Sequence, residues 1–157
     1  MNNEEFALAD TIHVIDEILA GGGEFRLYPK GTSMLPLIVQ KRDSVVLSRK
    51  QGIPADRYDI AFYRRRDGQF VLHRVMRIEK DGSYTMCGDN QTALEKHIEA
   101  EQIIGYVSAL YRKDRRLELH SIRYRAYVRL WCLMPIRRCY FLARRVCGKF
   151  KRLLFKK

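Results

Sequence analysis

Residues 59–87, DIAFYRRRDGQFVLHRVMRIEKDGSYTMC, decide the fold. Three short runs rich in β-branched, aromatic and other apolar residues stand in it: Asp59–Tyr63, Phe70–Ile78 and Tyr84–Cys87. Arg66-Asp67-Gly68 and Lys80-Asp81-Gly82 punctuate them with residues that favour tight turns. Runs of this length, joined by turns this short, predict antiparallel hairpins. Outward from there the pattern repeats. Phe25-Arg26-Leu27-Tyr28 alternates like a strand and is turned by Pro29-Lys30-Gly31; Ser44–Ser48 and Ile103–Tyr111 read as further strands, and Gln51-Gly52-Ile53-Pro54 as another turn. The fold class expected is mostly β and mostly antiparallel, with a helix before the strands and a basic helical tail after them.

The helix is expected over residues 4–20, where Leu8, Ile12, Ile15, Ile18 and Leu19 fall on one face and Gly21-Gly22-Gly23 ends the pattern. Its acidic residues, Glu4, Glu5, Asp10, Asp16 and Glu17, are incompatible with a cleavable signal peptide or a membrane span in that segment. The segments expected are an N-terminal helix, 1–23, a catalytic-type domain, 24–118, and a tail, 119–157.

Charge divides the chain unevenly. Residues 1–110 hold 14 Lys/Arg and 16 Asp/Glu, whereas residues 111–157 hold 16 Lys/Arg and 2 Asp/Glu. A negatively charged partner is therefore implied for the tail alone. The tail is expected to be helical from Ser121, in two pieces divided at Pro135. In the second piece Ile136, Cys139, Tyr140, Ala143, Val146, Cys147, Phe150, Leu153 and Leu154 recur at helical spacing, with Arg137, Arg138, Arg144, Arg145, Lys151, Arg152 and Lys156 around the rest. Such a basic amphipathic helix suits an anionic membrane surface, with Tyr124, Tyr127, Trp131, Tyr140 and Phe141 at headgroup level. Binding to nucleic acid phosphates is the less favoured partner, and packing of the apolar stripe on the domain is the plainest alternative. The four cysteines, Cys87, Cys132, Cys139 and Cys147, form no CxxC pair and read as free thiols; neither a metal nor another cofactor is expected.

Three segments carry candidate chemistry. In Gly31-Thr32-Ser33-Met34-Leu35-Pro36 a Gly-preceded turn can expose a serine hydroxyl and aim backbone N–H groups at a developing oxyanion. In Leu72-His73-Arg74 a histidine within a strand-like run can take the proton of a hydroxyl. In Cys87-Gly88-Asp89-Asn90 an aspartate past a strand end can orient an imidazole. Taken singly, the serine and the histidine are more simply read as part of an ordinary surface turn and as packed in a sheet, and Gly-Asp-Asn equally suits a plain turn.

Their order is more specific. Gly31 to Pro36, then Asp43-Ser44-Val45-Val46, Asp59-Ile60-Ala61-Phe62, His73-Arg74-Val75 and Gly88-Asp89-Asn90 together resemble the type I signal peptidase superfamily, which includes the self-cleaving phage and SOS repressors. The resemblance covers about half the chain, from Tyr28 to Tyr106, and implies a mostly β core of coiled antiparallel sheets. It implies Ser33 as nucleophile, with Gly31, Thr32, Met34 and Pro36 forming the oxyanion and substrate-binding box. Bacterial members and the repressors use lysine at the position of His73. Histidine there resembles the endoplasmic-reticulum, archaeal and spore-former branch, in which Asp89 would orient His73 or support the site. The implied activity is serine endopeptidase cleavage of signal- or leader-type peptides or preproteins. Two departures stand out. Gly31 takes the place of the hydroxyl residue that many signal peptidases carry two positions before the nucleophile. The charged helix at 4–20 stands where a membrane anchor is usual. The location expected is the cytoplasmic side, peripheral to the membrane. A non-catalytic or self-processing regulatory module is the rival reading, disfavoured because about 27 residues before the Ser box are too few for a helix-turn-helix.

Overall fold

The computed structural model describes residues 3–49 and 55–154, with side chains for 11–49 and 55–147. The expected turn at 51–54, the side chain of Leu8 and those of Phe150 to Lys156 lie outside these ranges.

Helix α1 spans Asn3–Ala20. Ile15 and Leu19 are fully buried and Ile12 is half-buried, a stripe spaced three and four residues apart. Ile18, expected on the same face, lies at its margin and is exposed. The helix closes with Gly21, Gly22 and Gly23 N–H groups donating to the carbonyls of Glu17, Leu19 and Ile18.

Eight strands follow: β1 (Phe25–Leu27), β2 (Asp43–Ser48), β3 (Ile60–Arg64), β4 (Phe70–Ile78), β5 (Tyr84–Cys87), β6 (Glu95–Ile98), β7 (Ile103–Arg112) and β8 (Arg115–Leu117). They form one antiparallel sheet in the order β1-β2-β7-β3-β4-β5-β6, with β8 paired to β7. Register shifts at Val46/Leu47, Phe62/Tyr63, Val75/Arg77 and Tyr84/Met86 interrupt four of the ladders. Bulges of this kind bend strands and increase local twist. Ala61, Tyr63, Val75, Tyr84, Met86 and Ile98 cluster in the core of the sheet. Leu19 of α1 closes on β7 at Gly105, where an added Cβ would stand 2.8 Å from Leu19 Cδ1.

The β3–β4 and β4–β5 turns use the residues expected. Gly68 and Gly82 have φ of 89° and 85°, which L side chains rarely adopt. Asp67 and Asp81 carboxylates accept from the N–H groups of Gln69 and Ser83. Strands β6 and β8 were not anticipated from the sequence: Glu95-Lys96-His97-Ile98 and Arg115-Arg116-Leu117 lack an apolar alternation.

The described chain divides into two compact units, Met1–Leu119 and His120–Lys157. Helix α1 thus belongs to the same unit as the sheet. The second unit holds α2 (Ile122–Trp131) and α3 (Met134–Leu154). Ser121 caps α2 by accepting from Tyr124 N–H at 3.2 Å. Pro135 divides the pieces as expected, sitting in the first turn of α3, where its missing N–H costs nothing. Tyr127 stacks on Trp131, and Trp131 meets Tyr140 edge-on across the two helices. Ile136, Tyr140, Leu142 and Val146 of α3 are exposed. Among the described residues no helix is long and apolar enough to cross a membrane.

Candidate active site

The loop before β2 presents Ser33. Its backbone makes tight turns: Leu35 N–H donates to Thr32 C=O and Ile38 N–H to Met34 C=O. Met34, Leu37 and Ile38 are buried beneath it. Gly31 has a φ of 89°, and its N–H donates to the Gln40 side chain at 3.0 Å. The far end of the loop is tied to the sheet. Buried Asp43 accepts from Val39 N–H and Arg42, and Arg112 donates to Leu37 C=O. Burial acts to raise the Asp43 carboxyl, but the hydrogen bonds from Arg42 and Val39 outweigh it and hold it below its ordinary range. Ser33 is half-buried; Gly31, Thr32 and Pro36 are exposed.

The Ser33 main chain sits directly on the Gly88-Asp89-Asn90 segment. Asn90 N–H donates to Ser33 C=O at 2.7 Å. A Cβ on Gly88 would stand 2.7 Å from the same oxygen, closer than real Cβ atoms come. Gly88 is therefore required by close approach of the serine loop. The β4–β5 ladder ends at Arg74↔Cys87, so His73 and Gly88 are the next residues along their chains. Two of the expected site segments thus touch through their backbones, while His73 stands on β4, the strand paired with β5 ahead of Gly88, with no hydrogen bond to Ser33 among the described residues. Among the described residues, Ser33 Oγ makes no hydrogen bond, and the N–H groups of Thr32, Ser33 and Met34 donate to no protein acceptor.

His73 is 1% exposed, its ring edge-on to that of the core residue Tyr63. Its Nδ1 lies 3.1 Å from Glu95 Oε1 and 3.2 Å from the Tyr63 hydroxyl. Burial pushes the imidazole below its usual range, and the negative charge of Glu95 opposes that without reversing it. His73 is accordingly neutral at neutral pH. Glu95 also accepts from Tyr63 OH and from Arg65 Nε, both at 2.8 Å, and from Arg65 Nη2. Burial acts to raise the Glu95 carboxyl, but the Arg65 and Tyr63 hydrogen bonds hold it below its ordinary range. Burial and the same carboxylate push the Tyr63 phenol well up, so it stays protonated.

Asp89 is placed differently from the expectation that it orients His73. It is fully buried and forms a two-point ion pair with fully buried Arg74, Nε to Oδ1 at 2.8 Å and Nη2 to Oδ2 at 2.7 Å. Arg74 also donates to Tyr58 C=O. The cause is strand parity. Successive residues of β4 face opposite sides, so Arg74 and His73 cannot share a face. Arg74 is paired with Cys87, and Asp89, two residues beyond Cys87, follows the Arg74 side. The Asp89 charge acts on His73 from there, less strongly than that of Glu95.

Comparison with protein-family models, with curated proteins and with solved structures finds no match to this chain.

His13, His97 and His120 are exposed. Ser44 is buried and accepts from Arg26. Cys87 is fully buried with its thiol directed at the carbonyls of Gly88, Gln91 and Ala93. Among the described residues no group of three or more His, Cys, Asp or Glu side chains is arranged to hold a metal ion.

Proposed function

We propose that the chain is a serine endopeptidase of the signal-peptidase type, with Ser33 as nucleophile, His73 as general base and the coiled antiparallel fold of that superfamily. The observation that supports this most is the 2.7 Å hydrogen bond from Asn90 N–H to the Ser33 carbonyl, which joins the serine loop to the segment that leaves β5, the strand paired with the β4 strand of His73. A serine hydroxyl is too basic to ionise at neutral pH and needs a general base. Ser33 attacks a peptide carbonyl while His73 takes its proton; the amine leaves with that proton, and water releases the acyl group. The N–H groups of Thr32, Ser33 and Met34 are candidates to stabilise the oxyanion, in place of the side-chain hydroxyl that Gly31 cannot supply. Closure of the Ser33–His73 hydrogen bond belongs to the substrate complex, since such contacts commonly tighten only there. The substrates are leader- or signal-type peptides bound as extended strands.

The tail brings this activity to an anionic membrane surface. Exposed Ile136, Leu142 and Val146 lie on one side of α3, and no acidic residue follows Glu118. The enzyme works peripherally, on the cytoplasmic side.

Digestion of a proteome-derived peptide library tests the chemistry without a known substrate. Wild-type protein is expected to generate new termini, read by mass spectrometry, that vanish with Ser33→Ala and nearly vanish with His73→Ala. Identical termini from wild type and Ser33→Ala would overturn the assignment.

A further inference from the structure

Granting the Ser33–His73 peptidase reading, on which this rests, we infer that Glu95 is the positioning carboxylate of His73, and that Asp89 serves the fold of the serine loop instead. Parity places Glu95 on the correct face. Val75 pairs with Met86 and Met86 with Glu95, and His73 shares the face of Val75.

The hydrogen atoms in the cluster can be assigned from its donors. Glu95 is ionised and only accepts. The single Tyr63 hydroxyl hydrogen is directed to Glu95 Oε2 at 2.8 Å. The tyrosine oxygen that faces His73 Nδ1 at 3.2 Å is then an acceptor, as is Glu95 Oε1 at 3.1 Å. Two acceptors around one ring nitrogen require the hydrogen on Nδ1. If Nδ1 were bare, its lone pair would oppose the carboxylate. Nε2 therefore carries the lone pair, the state a general base for Ser33 needs. When Nε2 takes the serine proton, the imidazolium forms 3.1 Å from a carboxylate that Arg65 holds by two further bonds. Glu95 stays ionised throughout; the proton moves from Ser33 Oγ to Nε2 and then to the leaving amine.

The charged groups that act on His73 are Glu95 from β6, Arg65 from the end of β3, and Asp89 from beyond β5. Asp89 is committed to Arg74 on the opposite face. Its segment carries Gly88 and Asn90, which fix the Ser33 carbonyl.

Long-range proton–nitrogen NMR of the imidazole reads the tautomer without any turnover. Wild-type His73 is expected to carry its hydrogen on Nδ1. In Glu95→Gln the amide oxygen remains with Arg65 and turns the NH2 toward the ring, so the hydrogen moves to Nε2. Peptide-library kcat then falls by roughly 10³- to 10⁴-fold, with KM little changed. Glu95→Asp keeps the charge; it should return the hydrogen to Nδ1 and recover part of the rate. Folded Asp89→Asn should leave the tautomer as in wild type. A wild-type hydrogen on Nε2, which needs no variant to fold, overturns the inference. So does an unchanged tautomer in folded Glu95→Gln, or a switch in Asp89→Asn alone. If the tautomers behave as stated and wild type cleaves nothing, the peptidase reading fails while Glu95 as the orienting group of His73 stands.

Discussion

Gly88→Ala is the sharpest steric probe of how the serine loop is placed. The new Cβ would stand 2.7 Å from the Ser33 carbonyl oxygen and 2.9 Å from Gln91 Oε1, where ordinary contact begins at 3.4 Å. The Gln91 amide is the end of a flexible side chain and can turn away. The Ser33 oxygen is backbone and must retreat by about 0.7 Å, which stretches its 2.7 Å bond from Asn90 N–H. Overpacking of this size costs about 1–3 kcal/mol. In a chain of 157 residues that is a fall of several degrees in melting temperature. The catalytic effect is larger relative to the atoms added. A shift approaching 1 Å in a reacting group lowers rate by roughly 10²-fold, and under the proposed mechanism it is the nucleophile's own backbone that moves. Gly82→Ala is the matched control. It too adds one methyl, at a φ of 85° but with nothing within 4 Å, so it carries backbone strain and no collision with the loop. The assay is initial cleavage of whichever library peptide wild type cuts best, alongside thermal melts of all three proteins. Gly88→Ala should lose 10- to 100-fold in kcat, and Gly82→Ala should keep the wild-type rate despite comparable destabilisation. A folded Gly88→Ala protein that cleaves at the wild-type rate would refute the claim that Gly88 sets the position of Ser33.

Three further outcomes follow from the same contacts. Asp89→Asn strands the fully buried Arg74 guanidinium, and urea unfolding should show a loss of about 3–5 kcal/mol; a loss below 1 kcal/mol would mean the pair is not buried as described. The acid limb of kcat/KM should fall below the ordinary imidazole value of about 6.5, because burial lowers His73. Stability should follow in two steps. Below about pH 6.5 the unfolded chain protonates His73 before the folded one does, so stability declines until the folded value is reached. The contributions of Glu95 and Asp43, present above the ordinary carboxylate range, are then lost as pH falls through their depressed values; melts from pH 8 to 3 that stay flat would contradict both. Finally, the protein should float with vesicles rich in anionic lipid and not with neutral ones. Replacing Arg144 and Arg145 by Gln should weaken that binding roughly thirtyfold at low salt, at about 1 kcal/mol per charge. Binding to neutral vesicles as tight as to anionic ones would count against a surface held by charge.

The strands that bracket His73 were legible because their residues alternate or run apolar between turn formers. Phe70–Ile78 and Tyr84–Cys87 begin and end where the pattern puts them. Ser121 and Pro135 likewise mark where the tail helices begin. Glu95 was not legible. It stands in a strand of Glu, Lys and His, with His97 at a φ of 57°, held by its pairing to β5 and not by propensity. Nothing local announces that a glutamate 22 positions after His73 will reach it. One clue was available. Arg74 directly follows His73 on a strand, and a buried arginine needs a carboxylate of its own on the opposite face. Two buried cationic or proton-accepting groups with opposite orientations call for two acids, and the motif offered only Asp89.

The consequence is a division of labour along a single strand. On one face of β4, His73 Nδ1 meets Glu95 and Tyr63, and Arg65 holds Glu95 in place. On the other, Arg74 is locked to Asp89, and that lock fixes the path of Gly88 and Asn90 beneath the Ser33 carbonyl. Loss of the first pair should change the chemistry of a correctly placed base. Loss of the second should misplace a serine beside a base that is still correctly poised. The two failures separate in the imidazole tautomer, which only the first should alter. Equal disturbance of the His73 tautomer by Glu95→Gln and Asp89→Asn would mean that the two faces of β4 are one electrostatic unit, and the separation of roles would not hold.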